Sequence, residues 1–305
     1  MNASRLTITG PAALVEAVPY LLGFTPTDSL VIVGLVATTV TVTARVDLDG
    51  LTPEQITKLA HTLRNNADAT AMIALTYGPA ADSEPVAAAA RAAGLQLAEH
   101  LRVDQGRYWS LTCPTEGCCP PEGRPIPQAG AVAAEFVLNG HAPMASRDDL
   151  ATVLQPDEAH GRRLTAELER ARAEHADDLM TAGDTLLGAD HRPDRCWTDE
   201  ETVRLGVALS GYPVRDTAWM AMEDGSLDGR ELFAHLARTL PAGHRAPALF
   251  LFAWKTWRLG DGALAAIAVD RALDDNPDYS AARLLEAALT KAIDPRRMPR
   301  LQLPG

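Results

Sequence analysis

The stretch Leu30-Val-Ile-Val33, followed by Val40-Thr-Val-Thr-Ala-Arg-Val-Asp-Leu48, decides the fold of the N-terminal half of this chain. A continuous apolar run of strand length is typical of a strand that is covered on both faces. In the second segment, apolar residues alternate with threonine, arginine and aspartate, which is typical of a strand with one buried face. The two segments therefore predict a hairpin inside a layered fold.

Helical and strand patterns alternate around this hairpin. Helices are predicted from Gly10 to Gly23, from Thr52 onward and from about Glu84 to Ala93, and strands at 71–75, 95–103 and 107–112. Proline in a first turn and glycine after a last turn support the helix limits. Because each one-sided element must bury its apolar face, we expect an α/β domain with a mixed sheet layered with helices.

Strand patterns stop after a helix predicted at 131–138, and the composition changes near Ser146. Residues 157–180 are rich in Glu and Arg at helical spacing, which predicts an exposed helix between the two halves. The capping box Thr198-Asp-Glu-Glu201 opens a helical region. We therefore expect an α/β domain at 1–145, a linker helix and loop at 146–197, and a smaller all-helical domain at 198–305.

Charge and composition narrow the function classes. The 305 residues carry a formal net charge of −12, which opposes nonspecific binding to nucleic acid. The sequence has no apolar run of about 18 residues and no signal-peptide pattern, so we expect a cytoplasmic protein and no membrane insertion. Four cysteines are too few for a disulfide scaffold in a chain of this length.

Three of the four cysteines lie in the segment Arg107–Pro127, whose prolines predict a stiff loop. Zinc could be held there by a set of thiols, with His141 or His191 in place of one of them. The candidate thiols are Cys113, Cys118, Cys119 and Cys196. Their spacing lacks the paired Cys-x-x-Cys knuckles of structural zinc sites, which counts against this interpretation.

The same thiols allow two other interpretations. Cys113 and a neighbouring cysteine could form a redox pair, or one thiol could act as a nucleophile if Arg107 or Arg124 lowered its pKa. Alternatively, the thiols simply pack within a rigid loop, since free cysteine is among the most often buried residue types.

Polar candidates also flank the hairpin. Asp28 and Ser29 precede the first strand, where they could supply a nucleophile or a metal ligand or could form an ordinary turn. Arg45 and Asp47 lie two residues apart on one strand face, where they could bind charged groups or pair with each other. Candidate catalytic residues at the rim of the sheet are thus Asp28, Ser29, Arg45, Asp47, Cys113 and Cys118.

Several catalytic motifs are missing from the sequence. There is no phosphate-binding Gly-x-x-x-x-Gly-Lys-Ser/Thr loop, no Gly-x-Gly-x-x-Gly after a strand, no His-Glu-x-x-His and no Gly-x-Ser-x-Gly. Nucleotide hydrolysis, dinucleotide-dependent redox chemistry, zincin proteolysis and hydrolase-type acyl transfer are therefore disfavoured.

Four segments together carry a resemblance to a known family: Pro19-Tyr-Leu-Leu-Gly-Phe24, Pro26-Thr-Asp-Ser-Leu-Val31, Arg45-Val-Asp47 and the loop from Cys113 to Gly123. They resemble the actinobacterial domain of unknown function 4192 family, and the resemblance extends from Leu14 to about Leu289. It implies a bacterial cytosolic protein of an uncharacterised group, and it brings no catalytic residues with it.

A weaker resemblance, to a tetratricopeptide helical hairpin, rests on Leu259-Gly-Asp261, Ala265, Ala272-Leu273 and Pro277. A single unit is too little for a solenoid. We therefore predict a short helical bundle with one repeat-like hairpin. The neighbouring aromatic residues are predicted to form its core rather than a binding groove. They are Phe250, Phe252, Trp254 and Trp257.

These observations lead to three hypotheses. The first is a module that binds a protein partner, a second copy of the chain or a small molecule. The second is a small-molecule enzyme that uses thiol, aspartate and arginine side chains at the rim of the sheet. The third is a scaffold stabilised by zinc.

Overall fold

The computed structural model of the protein describes residues 8–113, 115, 119–127, 130–140, 142–174 and 196–299. The chain divides into two compact units. The α/β unit contains the described residues up to Leu150 together with Thr290–Asp294, and the helical unit contains those from Ala151 to Leu289 together with those from Pro295 onward.

The α/β unit contains one mixed sheet, as predicted. Six strands follow the order β2-β1-β3-β4-β5-β6, in which β3 and β4 are parallel and all other neighbours are antiparallel. The strands are β1 Ser29–Val36, β2 Thr39–Asp47, β3 Ala71–Tyr77, β4 Gln96–Asp104, β5 Arg107–Ser110 and β6 Arg124–Pro125. The predicted hairpin is confirmed as the antiparallel pair β1 and β2.

Helices cover both faces of this sheet. The helices are α1 Gly10–Leu22, α2 Pro53–Asn66, α3 Glu84–Ala92, α4 Ala131–Leu138 and α5 Arg147–Ala151. Leu30 and Ile32 of β1 pack in one core cluster with residues of α2 and α3. Val31 and Val33, which alternate with them, are also fully buried but point to the other face. The continuous apolar run is therefore explained by burial on both sides.

In the helical unit, every regular element that the structure describes is a helix. These helices are α6 Glu158–Glu174, α7 Asp199–Ser210, α8 Tyr212–Asp224, α9 Arg230–Thr239, α10 Ala246–Arg258, α11 Gly262–Asp275 and α12 Ser280–Thr290. Helices α10 and α11 form the predicted hairpin, and the Asp261 side chain caps α11 by accepting a hydrogen bond from Leu264 N. Phe250, Phe252, Trp254 and Trp257 are all buried, so their prediction as core residues is confirmed.

Helix α6 differs from its predicted role as an exposed linker. Its Leu164 and Leu168 are buried, and Leu168 lies against Gly206 of α7. The two leucines are four residues apart, so they form one narrow apolar stripe on an otherwise charged helix. The structure therefore places α6 within the helical unit. None of the described helices is both long and apolar enough to cross a bilayer.

The cysteine- and proline-rich loop is anchored on β5. Trp109 Nε1 donates a hydrogen bond to Pro121 O at 3.0 Å, and Arg107 Nη1 donates to Gly123 O at 2.8 Å. β5 ends at Ser110, earlier than predicted, because the Ser110 hydroxyl accepts the Cys113 N–H and turns the chain. β6 lies at the open edge of the sheet, which is where a strand tolerates a proline such as Pro125.

Replacement of Gly123 with alanine is expected to lower the free energy of unfolding by about 2 kcal/mol. Gly123 has a φ of +76°, and a Cβ atom there would overlap the Trp109 indole. Gly94 is a matched control, because its φ is +66° but no described heavy atom lies within 4 Å of an added Cβ. Gly94→Ala should cost about 1 kcal/mol from backbone strain alone. Urea denaturation measures the free energy of unfolding of both variants. Equal losses of stability in the two would contradict the role of the contact between position 123 and the indole.

Candidate functional site

A pocket of about 640 Å³ opens at the carboxyl ends of the parallel strands β3 and β4. Tyr77, Gly78 and Pro79 line it from the end of β3, and residues 103–106 line it from the end of β4 and the following turn. In open α/β sheets, ligands bind outside the carboxyl ends of the strands. The pocket therefore lies where this class of fold places its binding sites.

Helices and connecting segments form the remaining walls. The other lining residues are Val15, Glu16, Pro19 and Tyr20 of α1, Thr25 to Asp28 before β1, Ile126 and Pro127 after β6, Ala133 of α4, and Pro143. The Tyr20 ring is stacked on Phe136 of α4, with the ring centroids 4.8 Å apart. Thr25 N donates to Met144 O at 3.0 Å, and Met144 N donates to Gly23 O at 2.8 Å, so the segment with Pro143 is held beside the pocket.

Two buried polar side chains line the pocket without a hydrogen-bond partner. Glu16 is 9 % exposed and Tyr77 is 7 % exposed. Glu16 Oε1 and the Tyr77 hydroxyl have no partner among the residues that the structure describes. Burial raises the pKa of the Tyr77 phenol above its usual value, so Tyr77 remains a neutral donor and acceptor. Most buried polar groups in proteins are hydrogen-bonded, which makes these two atoms unusual.

The Glu16 carboxylate lies against the start of α4. A Cβ atom added at Gly130, the residue before this helix, would overlap the carboxylate, so a larger residue there would displace the Glu16 side chain. The first N–H groups of a helix carry partial positive charge, which favours a negative charge at this position.

Of the candidates predicted from sequence, Asp28 lies in the pocket wall. Its φ is +42°, in the left-handed region that asparagine and aspartate adopt more readily than most residues. Its carbonyl oxygen accepts a hydrogen bond from Leu48 N at 2.9 Å, which ties the entry of β1 to the end of β2. Asp28 thus both forms a turn and faces the pocket.

Ser29, Arg45 and Asp47 lie beside the pocket but do not line it. Arg45 Nη2 and Asp47 Oδ1 form an ion pair at 2.6 Å. Ser29 is fully buried, and it lies opposite both Asp47 and Tyr77 in the strand register. The register therefore brings these three side chains to the same face of the sheet as Tyr77, with Ser29 beside Tyr77 on the neighbouring strand.

The cysteines lie elsewhere. Cys113 and Cys119 are half-buried and do not line the pocket, and Cys196 is an exposed thiol of the helical unit. Cys118, His141 and His191 lie outside the described residues. Within the described ranges, no group of three His, Cys, Asp or Glu side chains is arranged to hold a metal ion. The cysteine loop reaches the pocket through Ile126 and Pro127, not through the described thiols.

The pocket is acidic. Glu16, Asp28 and Asp104 line it, whereas none of the described lining residues is lysine, arginine or histidine. Sequence reasoning did not identify Glu16 or Tyr77. The available signal for Glu16 was a single carboxylate within the otherwise apolar helix sequence of α1, where a charged residue on a buried face needs an explanation.

Comparisons with known proteins identify the family. No curated protein matches the chain significantly, and neither does any solved structure. One family, described as "Domain of unknown function (DUF4192)", matches residues 11–296. This match covers most of the chain, and it confirms the resemblance that the sequence segments indicated. The protein belongs to the DUF4192 family.

Proposed function

We propose that this protein binds a small molecule in the pocket at the carboxyl edge of β3 and β4. The observation that carries the proposal is the pair of buried polar atoms, Glu16 Oε1 and the Tyr77 hydroxyl, which line the pocket without partners among the described residues. An unpaired buried polar group costs about 1–3 kcal/mol, and hydrogen bonds to a ligand would remove that cost. This pattern supports a site that is complete only when it is occupied.

The size and lining of the pocket support the same conclusion. A volume of about 640 Å³ falls within the range of about 300–1,000 Å³ that is usual for small-molecule sites. Five prolines line the pocket: Pro19, Pro26, Pro79, Pro127 and Pro143. Their fixed φ angles stiffen the walls, so little conformational entropy is lost when a ligand binds.

Binding is favoured over the enzyme hypothesis because the candidate rim residues do not converge on the pocket. Of those within the described ranges, only Asp28 lines it. Arg45 is engaged with Asp47, and Cys113 does not line the pocket. A nucleophilic mechanism requires the thiol to lie within reach of the bound substrate.

We expect a tryptophan at position 133 to block ligand binding. Ala133 is half-buried on α4 and lines the pocket, so a large side chain there would fill it. Ala134 is exposed on the same helix and does not line the pocket, which makes Ala134→Trp the matched control. Compounds that raise the melting temperature of the wild-type protein should stabilise Ala134→Trp equally and should have no effect on Ala133→Trp.

A second variant covers the case in which Ala133→Trp fails to fold. Tyr77→Phe removes a buried hydroxyl without a described partner, so it should raise the melting temperature of the free protein while it weakens ligand binding. If no compound stabilises the wild-type protein, or if every compound stabilises Ala133→Trp as well, the proposed function is wrong.

A further inference from the structure

We infer that the ligand is an organic cation: a protonated amine or amidine, carried on an apolar body, whose charged group is held by Glu16. The inference rests on the proposed function and specifies its ligand class. Three properties of the pocket support it: its charged lining residues are acidic, Glu16 is buried with an unpartnered oxygen, and much of the remaining lining is apolar or aromatic.

The charge of the pocket lining disfavours anions. Glu16, Asp28 and Asp104 line it, and no described lining residue is an arginine. Arg45 and Arg102 lie outside the lining and donate to the carbonyl oxygens of Thr27 and Pro79 in the pocket wall. Arg45 is paired with Asp47, and Arg107 donates to the carbonyl oxygens of Glu122 and Gly123. Charges in a partly enclosed site interact more strongly than in water, so these carboxylates attract cations and repel anions.

Glu16 has the properties of a group that holds a cation. The Glu16 side chain is buried, with the residue only 9 % exposed, and Oε1 has no hydrogen-bond partner within the described part of the chain. A protonated amine would donate to this oxygen in a charge-assisted hydrogen bond, which is about twice as strong as a neutral one. A neutral ligand would give a weaker bond to the same atom, so the site discriminates by charge.

The walls favour an organic cation over a metal ion. Nowhere in the described ranges do three acidic, cysteine or histidine side chains gather closely enough to hold a metal ion. Tyr20 and Tyr77 provide aromatic surfaces, and Val15, Val103 and Ile126 add apolar contacts. Aromatic faces attract organic cations, and the aliphatic side chains suit the uncharged body that carries the amine.

The test compares ligands that share one aromatic ring system and carry a cationic, a neutral or an anionic group on it. One set is tryptamine, tryptophol and indole-3-acetate, and a second is phenethylamine, phenylethanol and phenylacetate. Calorimetric titration of the full-length protein should show that each amine binds at least about 10-fold more tightly than its alcohol, with no detectable binding of the acid. Binding of the amines should be absent in Ala133→Trp and preserved in Ala134→Trp.

Substitution of Glu16 with glutamine then tests the assigned residue. Glu16→Gln should weaken amine binding by about 10- to 100-fold, the usual effect of losing a charged partner, and should leave alcohol binding nearly unchanged. Glu84→Gln is the control, because it removes the same charge from an exposed residue that does not line the pocket. The melting temperature of free Glu16→Gln should match that of the wild-type protein.

The outcomes separate the inference from the proposed function. If acids or alcohols bind as tightly as the amines and Ala133→Trp blocks them, the pocket is a binding site but the charge inference is wrong. An unchanged preference for amines in Glu16→Gln would also overturn the role of Glu16. If no compound binds in a manner that Ala133→Trp blocks, both the inference and the proposed function fail.

Discussion

Replacement of Arg258 with methionine is expected to lower the free energy of unfolding of the helical unit by about 3–5 kcal/mol. Glu223 on α8 is 3 % exposed at its side chain, and its carboxylate is held by Arg258 on α10 at 2.7 Å and 2.9 Å. Trp254 Nε1 also donates to Glu223 Oε1, at 2.8 Å. Without Arg258, a buried negative charge would retain only this one described donor.

Tryptophan fluorescence in urea measures the loss, because four of the five tryptophans belong to the helical unit. Arg283→Met is the control, since its ion pair with Asp278 is exposed and should contribute no more than about 0.5 kcal/mol. The double variant Glu223→Gln with Arg258→Met should regain a large part of the stability, because it leaves no buried charge. If the two single losses simply add in the double variant, the buried-charge explanation is wrong.

The sequence predicted the layered fold well because its signals are local. The run Leu30–Val33 is apolar at every position, and the structure buries it on both sides. The hairpin turn at Gln105 and Gly106 has a positive φ at both residues, as expected of a two-residue turn. The capping box at Thr198 also forms as predicted, and Thr52 forms a second one at the start of the helix predicted there; the hydrogen bonds of both connect residues three positions apart.

The linker assignment of α6 shows where local signals fall short. A surface helix and a helix with a narrow buried stripe have nearly the same composition. Only the spacing of Leu164 and Leu168 distinguishes them, and two leucines in a charged stretch are a weak signal. The contact with Gly206 of α7 depends on a distant part of the chain.

The candidate site was predictable only in part. Asp28 was identified because it precedes a strand, and in a layered fold the ends of strands lie at the edge of the sheet. Glu16 and Tyr77 were missed, because a helix and a strand bring them to the pocket from separate segments and neither belongs to a sequence motif. Their significance arises from burial without a described partner, which only three-dimensional structure reveals.

Lowering the pH from 6.5 to 4 is expected to destabilise the α/β unit by about 3 kcal/mol through His100 alone. His100 is fully buried, and its Nε2 lies 2.9 Å from the Thr76 hydroxyl, while Nδ1 has no partner among the described residues. Burial lowers the pKa of His100 from 6.5 to about 4, and nearby Glu99 and Asp82 oppose this shift.

The direction of the pH effect follows from the lowered pKa. Between pH 6.5 and pH 4, the unfolded chain binds a proton at this histidine and the folded chain does not. The stabilisation is therefore fully present above pH 6.5, and it is lost as the pH falls toward 4. His235 in the helical unit should act in the same direction, because burial also lowers its pKa to about 4.

Glutamine at position 100 provides the test, because its amide can bond to Thr76 but does not titrate. Hydrogen exchange in peptides from β3 and β4, followed in urea between pH 7 and pH 4.5, reports the stability of the α/β unit. Protonation of carboxylates should change the stability of both proteins equally as the pH falls. The wild-type protein should therefore lose more stability than His100→Gln over this range, because only it has a titrating side chain at position 100. His235→Gln is the control, since it should change the pH response of the helical unit and leave that of the α/β unit unchanged. Parallel pH curves for the wild-type protein and His100→Gln would show that His100 is protonated in the folded state, which contradicts its buried neutral form.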